Sequence, residues 1–155
     1  MALIEAGSFA AFPDALRFLQ ALRARGIRTA AVSSSKNANR MMGRIRLRSE
    51  ASLLDLFDAN LCGRDVRRGK PDPEIFLLAA ATLGAAPVSC LVVEDAPAGI
   101  EAAKAGGMAG LGIARLGDAA LLRAAGADLV VTSLDDVAVD ALARGELRAQ
   151  PSEAS

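Results

Sequence analysis

Apolar residues follow two rhythms along this chain, and their alternation predicts an α/β domain. Ala15, Phe18, Leu19 and Leu22 recur at helical spacing behind Pro13, a favoured first helical residue, and Gly26 supplies the stop. Ile27 to Val32 reads as a short buried strand, closed by the polar run Ser33-Ser34-Ser35-Lys36-Asn37. A helix follows through Met42 to Ile45. Residues 46–58 fit neither rhythm, although Leu53, Leu54, Leu56 and Phe57 must be buried somewhere. Ala59 to Cys62 is a second short strand, followed by an arginine-rich loop from Gly63 to Lys70. Pro71-Asp72-Pro73-Glu74 marks a helix start, with Asp72 as N-cap, and Gly84 ends that helix after Leu83. Cys90 to Val93 is the clearest strand and stops at Glu94-Asp95. A helix from Pro97 to Ala105 halts at Gly106-Gly107, and Ala109 to Ala114 and Asp128 to Val131 complete the strands.

Short crossover helices between apolar strands predict a mostly parallel sheet covered on both faces. In such sheets ligands bind beyond the carboxyl ends of the strands, so the polar residues just after each strand are the ones to examine.

Composition narrows the chemistry. The chain has 155 residues, enough for one domain, and about half are apolar, so a packed interior is expected. Acidic and basic residues balance at 18 each, which gives no global pull toward nucleic acid or an anionic membrane. There is no histidine, which removes Ser-His-Asp triads, Cys-His dyads and His-based metal sites. Cys62 and Cys90, each beside an apolar run, read as buried free thiols in a reducing compartment. No signal-like N-terminus and no membrane-length apolar run is present, so a cytoplasmic location is expected.

Three strand ends carry candidate chemistry. Ser33-Ser34-Ser35-Lys36-Asn37 opens a helix, where hydroxyls and free N–H groups suit a phosphate; a serine-rich N-cap would look the same. Gly69-Lys70-Pro71-Asp72-Pro73 fixes a lysine ahead of a helix, where an ammonium could offset a phosphoryl charge; a solvated lysine is the plainer alternative. It is no P-loop, because Pro71 stands where Ser or Thr is needed. Val92-Val93-Glu94-Asp95 puts two carboxylates at a strand mouth. They repel unless a hard cation such as Mg²⁺ joins them, unless Asp95 merely caps the next helix.

Taken together and in this order, these segments resemble the haloacid dehalogenase superfamily, in its β-phosphoglucomutase-like branch. The stretches Ser33 to Asn37, Gly69-Lys70-Pro71-Asp72-Pro73-Glu74-Ile75-Phe76 and Val93-Glu94-Asp95-Ala96-Pro97-Ala98-Gly99-Ile100-Glu101-Ala102-Ala103-Lys104 carry the match, which covers roughly residues 8–137. The resemblance implies a Rossmann-like α/β core and a Mg²⁺-dependent phosphatase or sugar-phosphate mutase acting on a small phosphorylated sugar. It places Ser33 at the catalytic hydroxyl and Lys70 at the catalytic lysine. Ser33, Ser34 and Lys70 would then bind the transferring phosphate; Ser35, Lys36 and Asn37 could hold a second one. Glu94 and Asp95 would hold the metal.

One part of that pattern is missing. The family's nucleophile is an aspartate in an Asp-x-Asp motif on a central first strand, and no Asp-x-Asp occurs in these 155 residues. Residues 1–12 read as the end of a cap and its link, 13–143 as a truncated core without its central first strand, and 144–155 as a flexible tail. In the family's sheet the missing strand lies between the strands ending at Ser33 and at Asp95. Its loss should leave two unpaired inner edges or force those strands together. The expectation is therefore little turnover alone, with a second copy or a partner chain able to supply a strand. The alternative is a non-catalytic phosphate-binding or interaction module completed by a partner strand. A receiver-like domain fits worse, since its acidic pair should precede its lysine. Gly110-Leu111-Gly112 lacks a third glycine for a dinucleotide fingerprint, and the arginines at 40, 44, 46, 48, 64, 67 and 68 read as a solvated face before a nucleic-acid site.

Overall fold

The computed structural model describes residues 12–35, 37–45, 47 and 51–151. Apart from Phe12, the 1–12 segment lies outside the described residues, as do Lys36, Arg46, Arg48 and the last four positions.

Helix α1 (Pro13–Ala24) forms where the periodicity places it, and it turns Ala15, Phe18, Leu19 and Leu22 into the core. Each of the larger three contributes roughly 1.5–3 kcal/mol by leaving water. Gly26, at φ 68°, takes the left-handed conformation that lets the chain leave the helix. Strand β1 (Ala30–Ala31) is shorter than the apolar run from Ile27 suggests, because its neighbour β2 (Ala59–Asn60) offers only a two-residue ladder. Between them lie α2 (Ala38–Arg44) and a single 3₁₀ turn, Leu53–Leu56. That turn answers where the leucines of the ambiguous stretch go: Leu53 and Phe57 are buried, and Leu54 and Leu56 pack half-buried beside them.

Helix α3 (Glu74–Thr82) starts with the Asp72 carboxylate accepting the Glu74 N–H at 3.0 Å. Strands β3 (Leu91–Glu94), β4 (Ala109–Ile113) and β5 (Leu129–Val131) make a second parallel sheet in that order, with α4 (Pro97–Ala105) crossing from β3 to β4. Two short helices, α5 (Ala119–Ala124) and α6 (Val139–Ala143), carry too little periodicity to stand out in the sequence. Beyond α6 the polar stretch runs back along the preceding turn. Ala138 donates to the Arg148 carbonyl at 3.0 Å, and Val137 bridges Ala149.

Helices cover both faces. Residues of α1 pack with Ala31, Val93, Leu111 and Val131 on one side. Residues of α3 and α4 pack with Val32, Val92 and Met108 on the other. The two sheets thus share two hydrophobic layers, yet β1 and β3 are not paired with each other. Of the two consequences expected from a missing central strand, forcing β1 and β3 together is not what the described residues show. The Arg28 guanidinium, just before β1, donates to the Leu83 carbonyl, ahead of β3, so both strands begin at the same end of the gap.

Candidate functional site

The sequence puts Ser33 two residues past β1, where the chain stops pairing and turns. There Ser33 Oγ accepts the Ser35 N–H at 3.2 Å, and Ser35 Oγ accepts the Asn37 N–H at 3.3 Å. Two successive hydroxyl turns fold the loop before α2, with Ser34, Ser35 and Asn37 exposed. The Gly63 N–H donates to the Ser33 carbonyl at 2.9 Å, tying this loop to the one after β2.

The loop that carries Lys70 is shaped by its own helix. Glu74, in the first turn of α3, accepts the Arg67 and Arg68 N–H groups at 3.0 and 3.1 Å. The Lys70 ammonium is thereby delivered to the end of β3, where it donates to Glu94 Oε1 and lies 5.0 Å from the Phe76 ring centre. That location is a low-dielectric one: Glu94 is 3% exposed, and the Lys70 side chain 24%. Lys70 is therefore a fixed cation and not a waving surface lysine.

Glu94 and Asp95 are adjacent in sequence but differ in surroundings, because successive residues at a strand end face opposite ways. Glu94 turns inward, against Lys70 and against Gly99 of α4. A Cβ added at Gly99 would land on the Glu94 carboxyl, so only glycine lets the helix approach this closely. Asp95 is on the open side. Partial burial, and then the neighbouring Glu94 charge, push its carboxyl above the ordinary carboxylate range; its own backbone N–H and Lys70 pull the other way.

The structure therefore joins Lys70 and Glu94 directly and sets Asp95 beside them. Ser33, Ser34, Ser35 and Asn37 lie in the loop beyond β1, and Lys36 is outside the described residues. Among the described residues no three Cys, Asp or Glu side chains converge on a point that could hold a metal. The donor set is a partial one: a single open carboxylate beside a buried ion pair. This suits a hard ion that keeps several waters and shares a substrate phosphate, as Mg²⁺ does. Glu74, Phe76 and Gly99 have supporting roles that motif spacing alone does not expose. Their signal is position: each lies in the first turn of a helix following a functional loop. Cys62 is buried and Cys90 half-buried, both as free thiols, and burial raises both above the ordinary thiol range.

Comparison with known proteins agrees with this geometry. The sequence profile of the haloacid dehalogenase-like hydrolases matches residues 2–107. The chain is 38% identical over 130 residues to β-phosphoglucomutase of Bacillus subtilis (strain 168), covering 84% of this chain and 53% of that one. It is 34% identical over 143 residues to hexitol phosphatase A of Escherichia coli (strain K12), covering 92% and 63%. The crystal structure of an archaeal β-phosphoglucomutase from Pyrococcus sp. strain ST 04 superposes with a TM-score of 0.71 at 33% identity, over 87% of this chain and 57% of that one. The chain thus spans less than two thirds of the length of these relatives. Helices on both faces of parallel strands, a lysine seated on a strand-end glutamate, and a profile match over most of the sequence lead to one assignment: the chain belongs to the haloacid dehalogenase-like hydrolase family.

Proposed function

We propose that these 155 residues are the phosphate- and metal-gripping part of a Mg²⁺-dependent phosphatase or sugar-phosphate mutase of the β-phosphoglucomutase type. The observation that carries this reading is the Lys70–Glu94 pair fixed at the mouth of β3 beside the open Asp95 carboxylate. A small phosphorylated sugar is the substrate class, in keeping with the names of two relatives, β-phosphoglucomutase and hexitol phosphatase A. The setting is cytoplasmic; among the described residues no helix is long and apolar enough to cross a membrane.

In this reading the Ser33 hydroxyl and Ser34 N–H hold oxygens of the transferring phosphoryl group, and Lys70 offsets its charge. Ser35, Lys36 and Asn37 form the edge where a second phosphate would rest. Asp95, the open member of the acidic pair, holds the metal, while Glu94 holds Lys70 in place and closes the inner side of the metal position. When bound, Mg²⁺ supplies charge stabilisation to a phosphoryl oxygen. With no Asp-x-Asp in the 155 residues, positioning without a nucleophile leaves mainly binding, so turnover by this chain alone is expected to be slight.

A second reading is favoured by β1 and β3 lying in separate sheets among the described residues: a phosphate-binding module that a strand from a partner, or from another copy, completes. The first experiment is Mg²⁺-dependent phosphate release from a panel of sugar phosphates, together with thermal stabilisation by Mg²⁺ plus inorganic phosphate, for the 155-residue chain and Asp95→Asn. Stabilisation lost in Asp95→Asn, with little release, is expected. A folded wild-type chain that neither Mg²⁺ nor phosphate stabilises would sink the reading.

A further inference from the structure

Two asparagines outside the phosphate-site motifs, Asn39 and Asn60, close a ring of hydrogen bonds beside the serine loop. The ring begins in the backbone. The Leu61 N–H donates to the Ala31 carbonyl and the Gly63 N–H to the Ser33 carbonyl, so Cys62, between them, turns its N–H and C=O away from β1. The sheet of β1 and β2 has no third strand among the described residues, and side chains meet those two groups instead. Asn60 Oδ1 accepts the Cys62 N–H at 3.0 Å, the local turn by which an asparagine engages the backbone two residues on. Asn39, in the first turn of α2, donates from Nδ2 to the Cys62 carbonyl at 2.9 Å. The two amides then meet, with Asn60 Nδ2 donating to Asn39 Oδ1 at 2.7 Å.

A single orientation of the two amides makes all three bonds. Turning Asn60 over would set its NH₂ against the Cys62 N–H, and turning Asn39 over would set its oxygen against the Cys62 carbonyl. The ring is therefore keyed to the backbone. Its place gives it a task. The serine loop leaves β1 at Ser33, tied to Gly63, and reaches α2 at Asn39, tied to Cys62. The segment 33–39 thus starts and finishes on two consecutive residues, and the loop that carries Lys70 starts from the same pair. Between the two ties stand the turns made by Ser35 and Asn37. Helix α2 itself has a small apolar footing, with Ala38 and Met42 as its buried side chains.

We propose that Asn39 and Asn60 are positioning residues for the phosphate edge. Their amide ring fixes the first turn of α2, and with it Ser35 and Asn37, relative to Ser33 and to the start of the Lys70 loop. The inference rests on the phosphate-binding reading and adds two residues that lie outside its motifs. Neither asparagine is assigned a contact with phosphate. They act by holding the loop in its binding shape beforehand, so that less ordering is left to be done when phosphate arrives.

The test compares the 155-residue chain with Asn39→Ala, Asn60→Ala and the double variant, using Mg²⁺ alone and inorganic phosphate in the presence of Mg²⁺ as probes. Both asparagines are exposed, so the effect is that of ordinary hydrogen bonds in contact with water. Each single variant should weaken phosphate binding about fivefold. Each should also speed amide exchange at Ser35 and Asn37. The Kd for Mg²⁺ alone, set by Asp95 on a different loop, should stay unchanged. The double variant should bind phosphate no worse than the single ones, because losing either amide opens the ring. If an alanine variant does not fold, Asn60→Asp decides. It keeps an acceptor for the Cys62 N–H but sets an oxygen against Asn39 Oδ1, and it should show the same losses. Reduced stability with phosphate affinity and loop exchange unchanged would overturn the inference and leave the ring as a cap on the sheet edge. Additive losses in the double variant would overturn the ring as one unit. Equal weakening of Mg²⁺ and phosphate would overturn it in favour of a general loosening. A folded wild-type chain that binds no phosphate would sink the phosphate reading, and the ring's hold on the loop would then stand or fall on the exchange rates at Ser35 and Asn37.

Discussion

Lys70 and Glu94 are 24 residues apart in sequence, yet the ammonium of one rests on the buried carboxylate of the other. Replacing Lys70 by Met strands the Glu94 charge in a low-dielectric position, and stability should fall by roughly 3 kcal/mol. Pairing that change with Glu94→Gln should restore much of the loss. Urea unfolding of the two single variants and the double variant closes the cycle, and strictly additive losses would contradict direct coupling.

Gly99 is the other constraint on Glu94. Gly99→Ala forces a methyl onto the carboxyl, so either α4 or Glu94 must move. A loss of about 1–3 kcal/mol is expected, the usual range for overpacking. Combining it with Glu94→Ala should reduce the cost; an unchanged cost would mean that backbone, and not this side chain, is what the methyl meets.

Asp95 should behave in the opposite sense. Its folded pKa is raised, so its charge opposes folding above the unfolded carboxylate value, and that penalty disappears below it. Asp95→Asn should therefore raise the unfolding temperature at pH 7 without metal, and abolish the further rise given by Mg²⁺. Melting curves at pH 7 and pH 3, with and without Mg²⁺, check both signs.

Asp14 gives the acid limb of stability. Burial raises its pKa, but two Arg115 hydrogen bonds at 2.9 Å and the Leu134 N–H at 2.8 Å outweigh it and hold the carboxyl below the ordinary 3.8. A depressed pKa stabilises above the unfolded value and loses that contribution as pH falls through the folded one. Asp14→Asn should be clearly less stable than wild type at neutral pH, and the difference should shrink below about pH 4. Acid titration of both proteins by circular dichroism is the measurement. Arg115→Met, which leaves the carboxylate buried and unpaired, should cost roughly 3 kcal/mol at neutral pH.

Much of this was readable from periodicity and punctuation. α4 falls at Pro97–Ala105 as proline and the glycine pair predict, and α1 ends where Gly26 requires. β1 was overestimated because apolar runs report burial, whereas pairing depends on how much partner is present. α5 and α6 are too short and alanine-rich to show a periodic face. At the site, Ser33, Lys70, Glu94 and Asp95 stand out because each lies at the end of a strand or in the loop beyond one. What they do to one another does not, since the Lys70–Glu94 contact depends on how two distant loops are brought together. The different surroundings of Glu94 and Asp95 follow from strand alternation, a rule that reading them as a motif passes over.

Three side-chain clasps of helix α1 reach residues made much later. Asp14 binds Arg115, Arg17 binds Asp135 at 2.6 Å, and Arg25 binds Asp140 at 2.7 Å, each more than 100 positions downstream. During synthesis these three clasps form only after more than 100 further residues have been made. Contacts this distant in sequence are slow to close. A ribosome-bound chain that stops short of Arg115 lacks all three clasps and holds α1 by its packing on Ala31, Leu53 and Phe57.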